Sequence, residues 1–279
     1  MGRSARERFR VEPGSPAGLA GRDPSGTPGV KSRKRAERAT PKLQERLAGL
    51  QERLYAERSR SLLVVLQGMD TSGKDGAIKH AFASLSPSGT RVTSFKAPTE
   101  VERRHHFLWR IRKALPESGQ VGIFNRSHYE DVVVVRVKRL APQAVWSTRF
   151  GEINAFEESL AKSGTTLVKV FLHISPDEQR ERLLARLDDP TKRWKFNPGD
   201  LDDRARWARF RTAYEEALTR CSTEAAPWFV VPADRKWYRN WAISGLLVET
   251  LEDLAPAYPT PELDLAALRN RLEGSIAED

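Results

Sequence analysis

Five short apolar runs alternate with longer amphipathic stretches through the middle of the chain. The runs cover residues 62–66, 92–95, 121–124, 166–172 and 228–231. Four of the five are strongly apolar without clean alternation, which is typical of strands buried on both faces. The stretches between them predict helices near residues 74–85, 100–115, 142–163, 176–187, 202–220 and 236–254. This succession predicts an α/β fold in which helices wrap an open parallel sheet.

The two ends of the chain differ from this middle part. Residues 1–30 contain six glycines and four prolines but few large apolar side chains, which predicts disorder. After Pro41, leucines at 4-3-4 spacing define a helix face that we expect to dock on the domain or on another subunit: Leu43, Leu47, Leu50 and Leu54. The predicted organisation is a disordered basic arm at 1–35, a helical extension at 36–60, a catalytic domain at 61–255 and a tail at 256–279.

The net charge of +10 is concentrated at the N-terminal end. Residues 1–60 carry 15 basic and 7 acidic side chains, which leaves 32 basic and 30 acidic side chains for the other 219 residues. The basic run at 31–38 is typical either of a nucleic-acid patch or of the solvated flank of a helix. Any anion site in the body must therefore be argued from local clusters.

Cysteine content and hydropathy indicate the compartment. The single Cys221 excludes an internal disulfide and a zinc site built on several thiolates, and it fits a reducing environment. No apolar run approaches the roughly 20 residues that span a bilayer. We therefore expect a cytoplasmic protein with no membrane partner.

A phosphate-binding loop follows the first predicted strand. The segment from Gly68 to Lys74 fits G-x-x-x-x-G-K between a strand and a helix. Its glycines allow a tight turn in which the N–H groups of Thr71, Ser72 and their neighbours point at phosphate oxygens, while the lysine neutralises the transferring phosphate. Asp75 stands where the motif has Ser or Thr, so the loop carboxylate Asp70 becomes the candidate for Mg²⁺.

A second polar cluster follows the third predicted strand. It contains Asn125, Arg126, Tyr129, Glu130 and Asp131. Ligands bind at the carboxyl ends of parallel strands, so this segment should face the phosphate loop. Its carboxylates could hold a metal or nucleotide and its arginine could pair with a phosphate; the alternative is a solvated loop.

Two basic segments could hold further phosphates. Residues 179–195 contain six basic and three acidic side chains, with Arg182 and Arg186 on one helix face, and predict a lid that closes over phosphates. The alternative is a salt-bridged helix. Lys192, Arg193 and Lys195 extend the basic loop, in which Trp194 could stack on a base or pack.

The second basic segment follows the second predicted strand. Lys96 stands at the strand end, and Arg103 and Arg110 share a helix face. Such a row suits a chain of anionic oxygens. The neighbouring His105 and His106 point to different sides of a helix, which does not favour a metal site.

The residues also resemble a known family. The matching stretches are GKDG at 73–76, SFKAP at 94–98, FLWR at 107–110, GIFNRS at 122–127, YEDV at 129–132, LHISP at 172–176, WKFNPGD at 194–200 and PWFVVPADRKWYR at 227–239. They resemble the second polyphosphate kinase family, class III, over roughly residues 50–255. The resemblance implies a three-layer P-loop kinase-type fold with a helical lid near 180–200 and an N-terminal helical extension.

The resemblance also implies an activity and its partners. Members transfer a terminal phosphate between polyphosphate and AMP or ADP, reversibly and with Mg²⁺, for which Mn²⁺ could substitute. The implied partners are polyphosphate, AMP, ADP and ATP, with guanine nucleotides open, and the implied assembly is a homodimer or homotetramer. Other classes carry a metal-binding Asp where this chain has Asn125, so Asn125 and Asp131 both stay open as second metal contacts.

The predicted site therefore has three sets of residues. The catalytic set is Asp70, Lys74, Arg126, Arg182 and Arg186. The nucleotide- and phosphate-binding set is Gly68, Thr71, Ser72, Gly73, Lys74, Asp75, Lys96, Arg103, Arg110, Asn125, Tyr129, Glu130, Lys192, Arg193, Trp194 and Lys195. The metal set is Asp70, Asn125 and Asp131. The alternative functions are an ATP-dependent nucleoside monophosphate kinase and a nucleic-acid-binding module that uses the basic arm.

Overall fold

A parallel sheet of five strands forms the centre of the molecule, which the computed structural model describes over residues 4–275. The strands are β1 (Ser61–Gly68), β2 (Thr90–Ser94), β3 (Val121–Asn125), β4 (Thr165–His173) and β5 (Trp228–Pro232). They are ordered β2-β3-β1-β4-β5, and each neighbouring pair is parallel. The predicted α/β fold with a parallel sheet is confirmed, with each strand close to its apolar run.

Burial explains the apolar runs. Every residue of the central strand β1 is buried, whereas Val92 in the edge strand β2 is 49% exposed. An edge strand has one neighbour and is less covered by helices, so it tolerates the polar residues that distinguish this run from the other four.

The described residues form thirteen α-helices, most of which pack around the sheet. They are α1 (Ala5–Phe9), α2 (Arg33–Glu57), α3 (Lys74–Ala81), α4 (Glu100–Arg103), α5 (Trp109–Lys113), α6 (Glu130–Val137), α7 (Gln143–Trp146), α8 (Arg149–Lys162), α9 (Pro176–Asp188), α10 (Gly199–Ala205), α11 (Trp207–Arg220), α12 (Lys236–Leu254) and α13 (Leu265–Glu273). Right-handed crossovers put α3 on one face of the sheet and the helices that follow β3 and β4 on the other. Contacts of α3 and α2 with α12, and of α6 with α8 and α11, complete three layers.

Helix boundaries depart from the pattern in four places. The stretch at 100–115 divides into α4 and α5, the stretch at 142–163 divides into α7 and α8, and the stretch at 202–220 divides into α10 and α11. Helix α6 was not predicted, because its run of four valines from Val132 to Val135 favours a strand. Packing against α11 overrides that local preference.

The predicted disorder of the basic arm is wrong for the described residues of that segment. Phe9 and Val11 are 1% exposed, and Leu19 is 3% exposed. The backbone N–H of Val11 donates to the carbonyl of Trp228 at 2.8 Å, which places this segment along the edge strand β5. Helix α1 contacts β5 and α12, and the backbone of Ala17 and Leu19 is bonded to α11, so the average composition underestimates the buried area. Residues 1–3 of the predicted arm lie outside the described residues.

Helix α2 begins and ends three residues before the predicted extension at 36–60, and it belongs to the domain. It runs from Arg33 to Glu57, and Leu47, Leu50 and Leu54 are buried. The helix packs against α12. The leucine face was predicted to dock on the domain or on another subunit, and in the structure it packs on the domain of its own chain.

The predicted tail contains α13, whose residues are all exposed; residues 276–279 of that tail lie outside the described residues. Within residues 4–275, no helix is both long and apolar enough to span a bilayer.

Candidate functional site

The loop between β1 and α3 has the backbone of a phosphate cradle. Gly73 has φ of 96° and Thr71 has φ of 63°, both in the left-handed region. A Cβ at Gly73 would collide with the guanidinium of Arg239, so both the φ and the close approach require glycine there. Helix α3 begins at the next residue, and its N-terminal end faces this loop.

Lys74 is held inside the loop. Its Nζ donates to the carbonyl oxygens of Gly68 at 2.9 Å and Met69 at 3.2 Å, and the side chain is buried. Burial, together with the positive charge of Arg126, lowers the pKa of Lys74 to about 8. A bound phosphate would replace these carbonyl contacts with a full negative charge.

A carboxylate–guanidinium–carboxylate group stands across from this lysine. Arg126 has φ of 64°. Its Nη2 donates to Oδ1 of Asp70 at 2.8 Å, and its Nη1 is 3.6 Å from Oε2 of Glu130. Burial raises the pKa of Glu130, although Arg126 and Lys74 oppose that rise. The arrangement brings two oxygen ligands and two cations to the phosphate loop.

These carboxylates suit Mg²⁺. In the described residues no group of three or more His, Cys, Asp or Glu could hold a metal by itself. Mg²⁺ does not need such a group, because in phosphoryl-transfer sites it takes one or two carboxylates together with substrate phosphates and water. Asp70 and Glu130 therefore fit as the two carboxylate ligands that the protein would supply to the ion.

Asn125 and Asp131 were predicted as second metal contacts. The side-chain amide of Asn125 donates to Oδ1 of Asp75 at 2.7 Å, so both lie at the edge of the phosphate loop. Asp131 faces elsewhere: its carboxylate is 3.3 Å from Arg149 and 3.8 Å from Arg110. Successive helical residues point about 100° apart, so Asp131 turns away where Glu130 turns towards Arg126. The structure does not support the metal assignment of Asp131.

Tyr129 is not part of the cleft. It is 1% exposed, and its hydroxyl donates to Oε1 of Glu157 at 2.9 Å. Its prediction as a nucleotide-binding residue is corrected by this inward orientation.

The two lid arginines have different surroundings. Arg182 donates to the carbonyls of Thr71 at 2.9 Å, Ala233 at 2.6 Å and Asp234 at 3.0 Å, so its guanidinium is bonded to backbone. It braces the phosphate loop in this arrangement, whereas the sequence predicted a catalytic arginine of the lid. Arg186, which is more exposed, is 3.4 Å from Asp200.

Arg239 lies in the matching stretch at 227–239, in which no single residue was predicted to have a role. It is buried, and its Nη1 donates to the carbonyl of Gly73 at 3.0 Å. Its position after β5, at the same sheet edge as the phosphate loop, was the available signal.

The loop part of the predicted lid lies in solvent. Lys192 pairs with Asp189 at 2.5 Å, Arg193 donates to the carbonyl of Leu187 at 2.8 Å, and Trp194 is 77% exposed. Lys195 lies over the ring of Trp194. The structure does not bring these side chains to the phosphate loop.

The basic residues that follow β2, which are Lys96, Arg103 and Arg110, also differ from one another in their surroundings. Arg110 is buried and donates to the carbonyl of Lys96 at 2.8 Å, with Glu102 and Asp131 both at 3.8 Å. Its prediction as a phosphate ligand is corrected, because its charge is already matched. Lys96 and Arg103 are exposed.

A pocket opens beside the phosphate loop, between α6 and α11. Its lining is Gly68, Met69, Asp70, Arg126, Glu130, Val134, Lys138, Gln179, Asp203, Trp207, Phe210 and Tyr214. One wall is apolar, and Lys138 forms an ion pair with Asp203 at 2.7 Å. The sequence did not predict the α11 side of this pocket. Trp207, Phe210 and Tyr214 have the spacing of ordinary core residues, and the gap between them and α6 is visible only in the packed structure.

Comparison with known proteins agrees with this geometry. Residues 30–258 match the family model of polyphosphate kinase 2. The AMP/ADP-polyphosphate phosphotransferase of Meiothermus ruber is 53% identical over 257 residues, which cover 92% of this chain and 96% of that protein. The ADP-polyphosphate phosphotransferase of Rhodopseudomonas palustris is 44% identical over 77% of this chain and 78% of its own. The crystal structure of polyphosphate kinase 2 from Arthrobacter aurescens TC1 superposes with a TM-score of 0.94 at 45% identity, covering 98% of both chains.

Proposed function

Because the chain belongs to the polyphosphate kinase 2 family, we propose that it transfers the terminal phosphate of polyphosphate to AMP and ADP, and that it also runs in reverse. The observation that carries the proposal is the phosphate loop, in which Lys74 faces the Asp70–Arg126–Glu130 group next to an open pocket. Loop, cations and carboxylates together supply what phosphoryl transfer needs.

The proposed mechanism depends on positioning and charge. Phosphoryl transfer passes through a loose transition state whose charge is spread over the equatorial oxygens, so the protein acts by alignment and neutralisation. Loop N–H groups hold the phosphate, Lys74 exchanges its carbonyl contacts for phosphate oxygens, and Arg126 balances charge on the opposite side. The acceptor phosphate is itself an anionic nucleophile, so the reaction needs no covalent intermediate on the protein.

Mg²⁺ is the cofactor that the carboxylates suit. Asp70 and Glu130 would hold it with phosphate oxygens, and Asn125 at the loop edge could accept a water of its shell. When bound, the ion neutralises the transferring phosphate.

The pocket between α6 and α11 is the inner end of the proposed acceptor site; its cavity of about 50 Å³ takes an edge of the base, and the rest of the nucleoside would lie at its opening. Trp207, Phe210 and Val134 offer an apolar wall for a base, and the Lys138–Asp203 pair lies where a ribose or phosphate could reach it. The pocket touches Asp70 and Arg126, so a nucleotide there has its phosphate end at the phosphate loop.

The exposed cations suit the polyphosphate chain. Lys96 and Arg103 on one side, and Lys192, Arg193 and Lys195 on the lid loop, remain open to solvent. Closure of the lid over a bound chain would bring its cations to the phosphates and exclude water, which protects the donor from hydrolysis.

An acceptor panel tests the proposal. The purified protein is supplied with Mg²⁺, polyphosphate as sole donor, and AMP, ADP, GMP or GDP, and products are separated by ion-exchange chromatography. We expect ADP and ATP to form, and Lys74→Ala to lose this activity while Lys79→Ala, an exposed lysine of the same helix, retains it. An enzyme that phosphorylates AMP from ATP and makes no product from polyphosphate would contradict the proposal and favour a nucleoside monophosphate kinase.

A further inference from the structure

A cluster of charged and polar side chains is fully enclosed between β4 and α8. Lys169 of β4 and Glu157 of α8 form an ion pair of 2.5 Å, and both are 0% exposed. Tyr129 and His128, from the turn between β3 and α6, are 1% and 0% exposed and complete the cluster. None of the four lines the pocket beside the phosphate loop.

Hydrogen bonds join the four side chains into one network. Lys169 Nζ donates to the Tyr129 hydroxyl at 2.8 Å and to the carbonyl of Cys221 at 2.6 Å, which uses its three donors together with Glu157. The Tyr129 hydroxyl donates to Glu157 at 2.9 Å, and His128 Nε2 lies 3.1 Å from the same carboxylate oxygen. Two residues of one short turn are thereby fixed to a strand and a helix.

Stability alone does not explain such a cluster. Removing two ions from water costs several kcal/mol for each ion, and apolar side chains of similar volume are often as stable or more stable in the same place. Lysine, glutamate and histidine in the core of a sheet therefore need another reason, and the turn to which they are bonded provides one.

The turn carries two residues of the candidate active site. Arg126 pairs with Asp70 and lies 3.6 Å from Glu130, while His128 and Tyr129, between them, point into the interior. The intervening Ser127 is also held from inside, because it accepts a hydrogen bond from Gln67 at 3.0 Å. The left-handed backbone of Arg126, with φ of 64°, is a conformation that persists only where the surroundings impose it.

We propose that Lys169, Glu157, His128 and Tyr129 are positioning residues, which hold the β3–α6 turn so that Arg126 and Glu130 stay aligned with the phosphate loop. This rests on the proposed function, because alignment matters only if those two residues act on a transferring phosphate. The cluster itself touches no substrate. A displacement of about 1 Å far from the chemistry can cost about a hundredfold in rate, so a rigid anchor has a kinetic consequence.

Two variants separate positioning from stability. Tyr129→Phe removes one hydroxyl and keeps the ring, and we expect kcat to fall by about tenfold, equivalent to about 1.4 kcal/mol in the barrier, while KM for AMP stays nearly unchanged. The double substitution Lys169→Met with Glu157→Leu replaces the ion pair by apolar volume but leaves the Tyr129 hydroxyl, His128 and the Cys221 carbonyl without these partners. We therefore expect it to lower both the thermal midpoint and kcat. Ser244→Ala, which alters a buried hydroxyl of α12, is the control and should change neither kcat nor KM.

The outcomes are distinguishable. A wild-type protein that transfers no phosphate from polyphosphate overturns the proposed function before any variant is tested. If the wild type is active and both variants fold with wild-type kcat, the cluster is structural and the positioning proposal fails. If the double variant does not fold, Tyr129→Phe decides, because a fall in kcat at unchanged KM and unchanged thermal midpoint is not expected of a merely structural hydroxyl.

Discussion

At the scale of single residues, the site depends on charges that are placed before substrate arrives. Lys74 is bonded to loop carbonyls, and Arg126 to Asp70. Each cation is therefore already oriented, and binding of phosphate exchanges one acceptor for another instead of ordering a free side chain.

Lys74 should set the alkaline limit of activity. Burial and the nearby Arg126 lower its pKa from 10.5 to about 8, so the free enzyme loses the ammonium charge as the pH rises through about 8. We expect kcat/KM to fall above that pH with the loss of one proton, since kcat/KM reports groups of the free enzyme. Bound phosphate raises the pKa of the lysine and should move the fall in kcat to higher pH. Measuring kcat and kcat/KM as functions of pH tests both expectations. A kcat/KM that stays constant as the pH rises through about 8 would contradict the assignment.

Adjacent carboxylates should differ in their effect on metal use. Glu130 faces Arg126, whereas Asp131 faces Arg149. We therefore expect Glu130→Gln to raise the Mg²⁺ concentration needed for half-maximal rate by about tenfold or more, and Asp131→Asn to leave it unchanged. Titration of Mg²⁺ at saturating substrates gives the comparison. An equal increase in the required Mg²⁺ concentration in both variants would contradict the separate roles of Glu130 and Asp131.

Some residues at the site could be predicted from the sequence, and others could not. Asp70, Lys74 and Arg126 could be predicted because a loop motif and the ends of parallel strands define their places. Tyr129 and Arg110 could not, because the direction of a side chain depends on which neighbours bury it. Both were predicted to contact substrate, but the Tyr129 hydroxyl is hydrogen-bonded to Glu157 and the Arg110 guanidinium to the carbonyl of Lys96.

At the scale of elements, the phosphate loop is held by segments distant in sequence. Arg182 of α9 and Arg239 of α12 donate to carbonyls of the loop, at Thr71 and Gly73. The strands that position these elements were predictable from apolar runs. Helix α6 and the N-terminal segment were not, because tertiary packing decides a valine-rich helix and a segment rich in glycine and proline.

Phe9 tests whether the N-terminal segment is part of the domain. It is 1% exposed and stacks edge-on against Tyr238 at 6.4 Å. Phe9→Ala should lower the free energy of unfolding by about 3–5 kcal/mol, the cost of removing a fully buried aromatic ring. Urea denaturation measures it, with Ser15→Ala, an exposed position of the same segment, as control. If both variants unfold like the wild type, the segment does not contribute to the fold.

At the scale of the whole molecule, local charge matters more than the net +10. Residues 1–60 hold most of the excess, and much of that segment is packed against α12 and β5. The phosphate loop and the pocket between α6 and α11 meet at the carboxyl edge of the sheet, with Lys74 and Arg126 beside them. That convergence, rather than the isoelectric point, indicates a phosphate-rich substrate.

Two tryptophans distinguish possible places for the base. Trp207 lines the pocket, and Trp194 lies 77% exposed on the lid loop. Stacking of a base on an aromatic ring contributes about 1–3 kcal/mol, so Trp207→Ala should raise KM for AMP by about tenfold, and Trp194→Ala should leave it nearly unchanged. Initial rates over a range of AMP concentrations provide the test. The reverse result would place the base under the lid.

The most direct test of the central claim follows the phosphate itself. Radiolabelled polyphosphate is incubated with unlabelled AMP, Mg²⁺ and the purified protein in the absence of ATP, and the nucleotides are separated and counted. We predict label in the terminal phosphate of ADP, and then of ATP, with the wild-type protein and none with Lys74→Ala. Label that stays in polyphosphate or appears only as free phosphate, while the same protein phosphorylates AMP from ATP, would contradict the account.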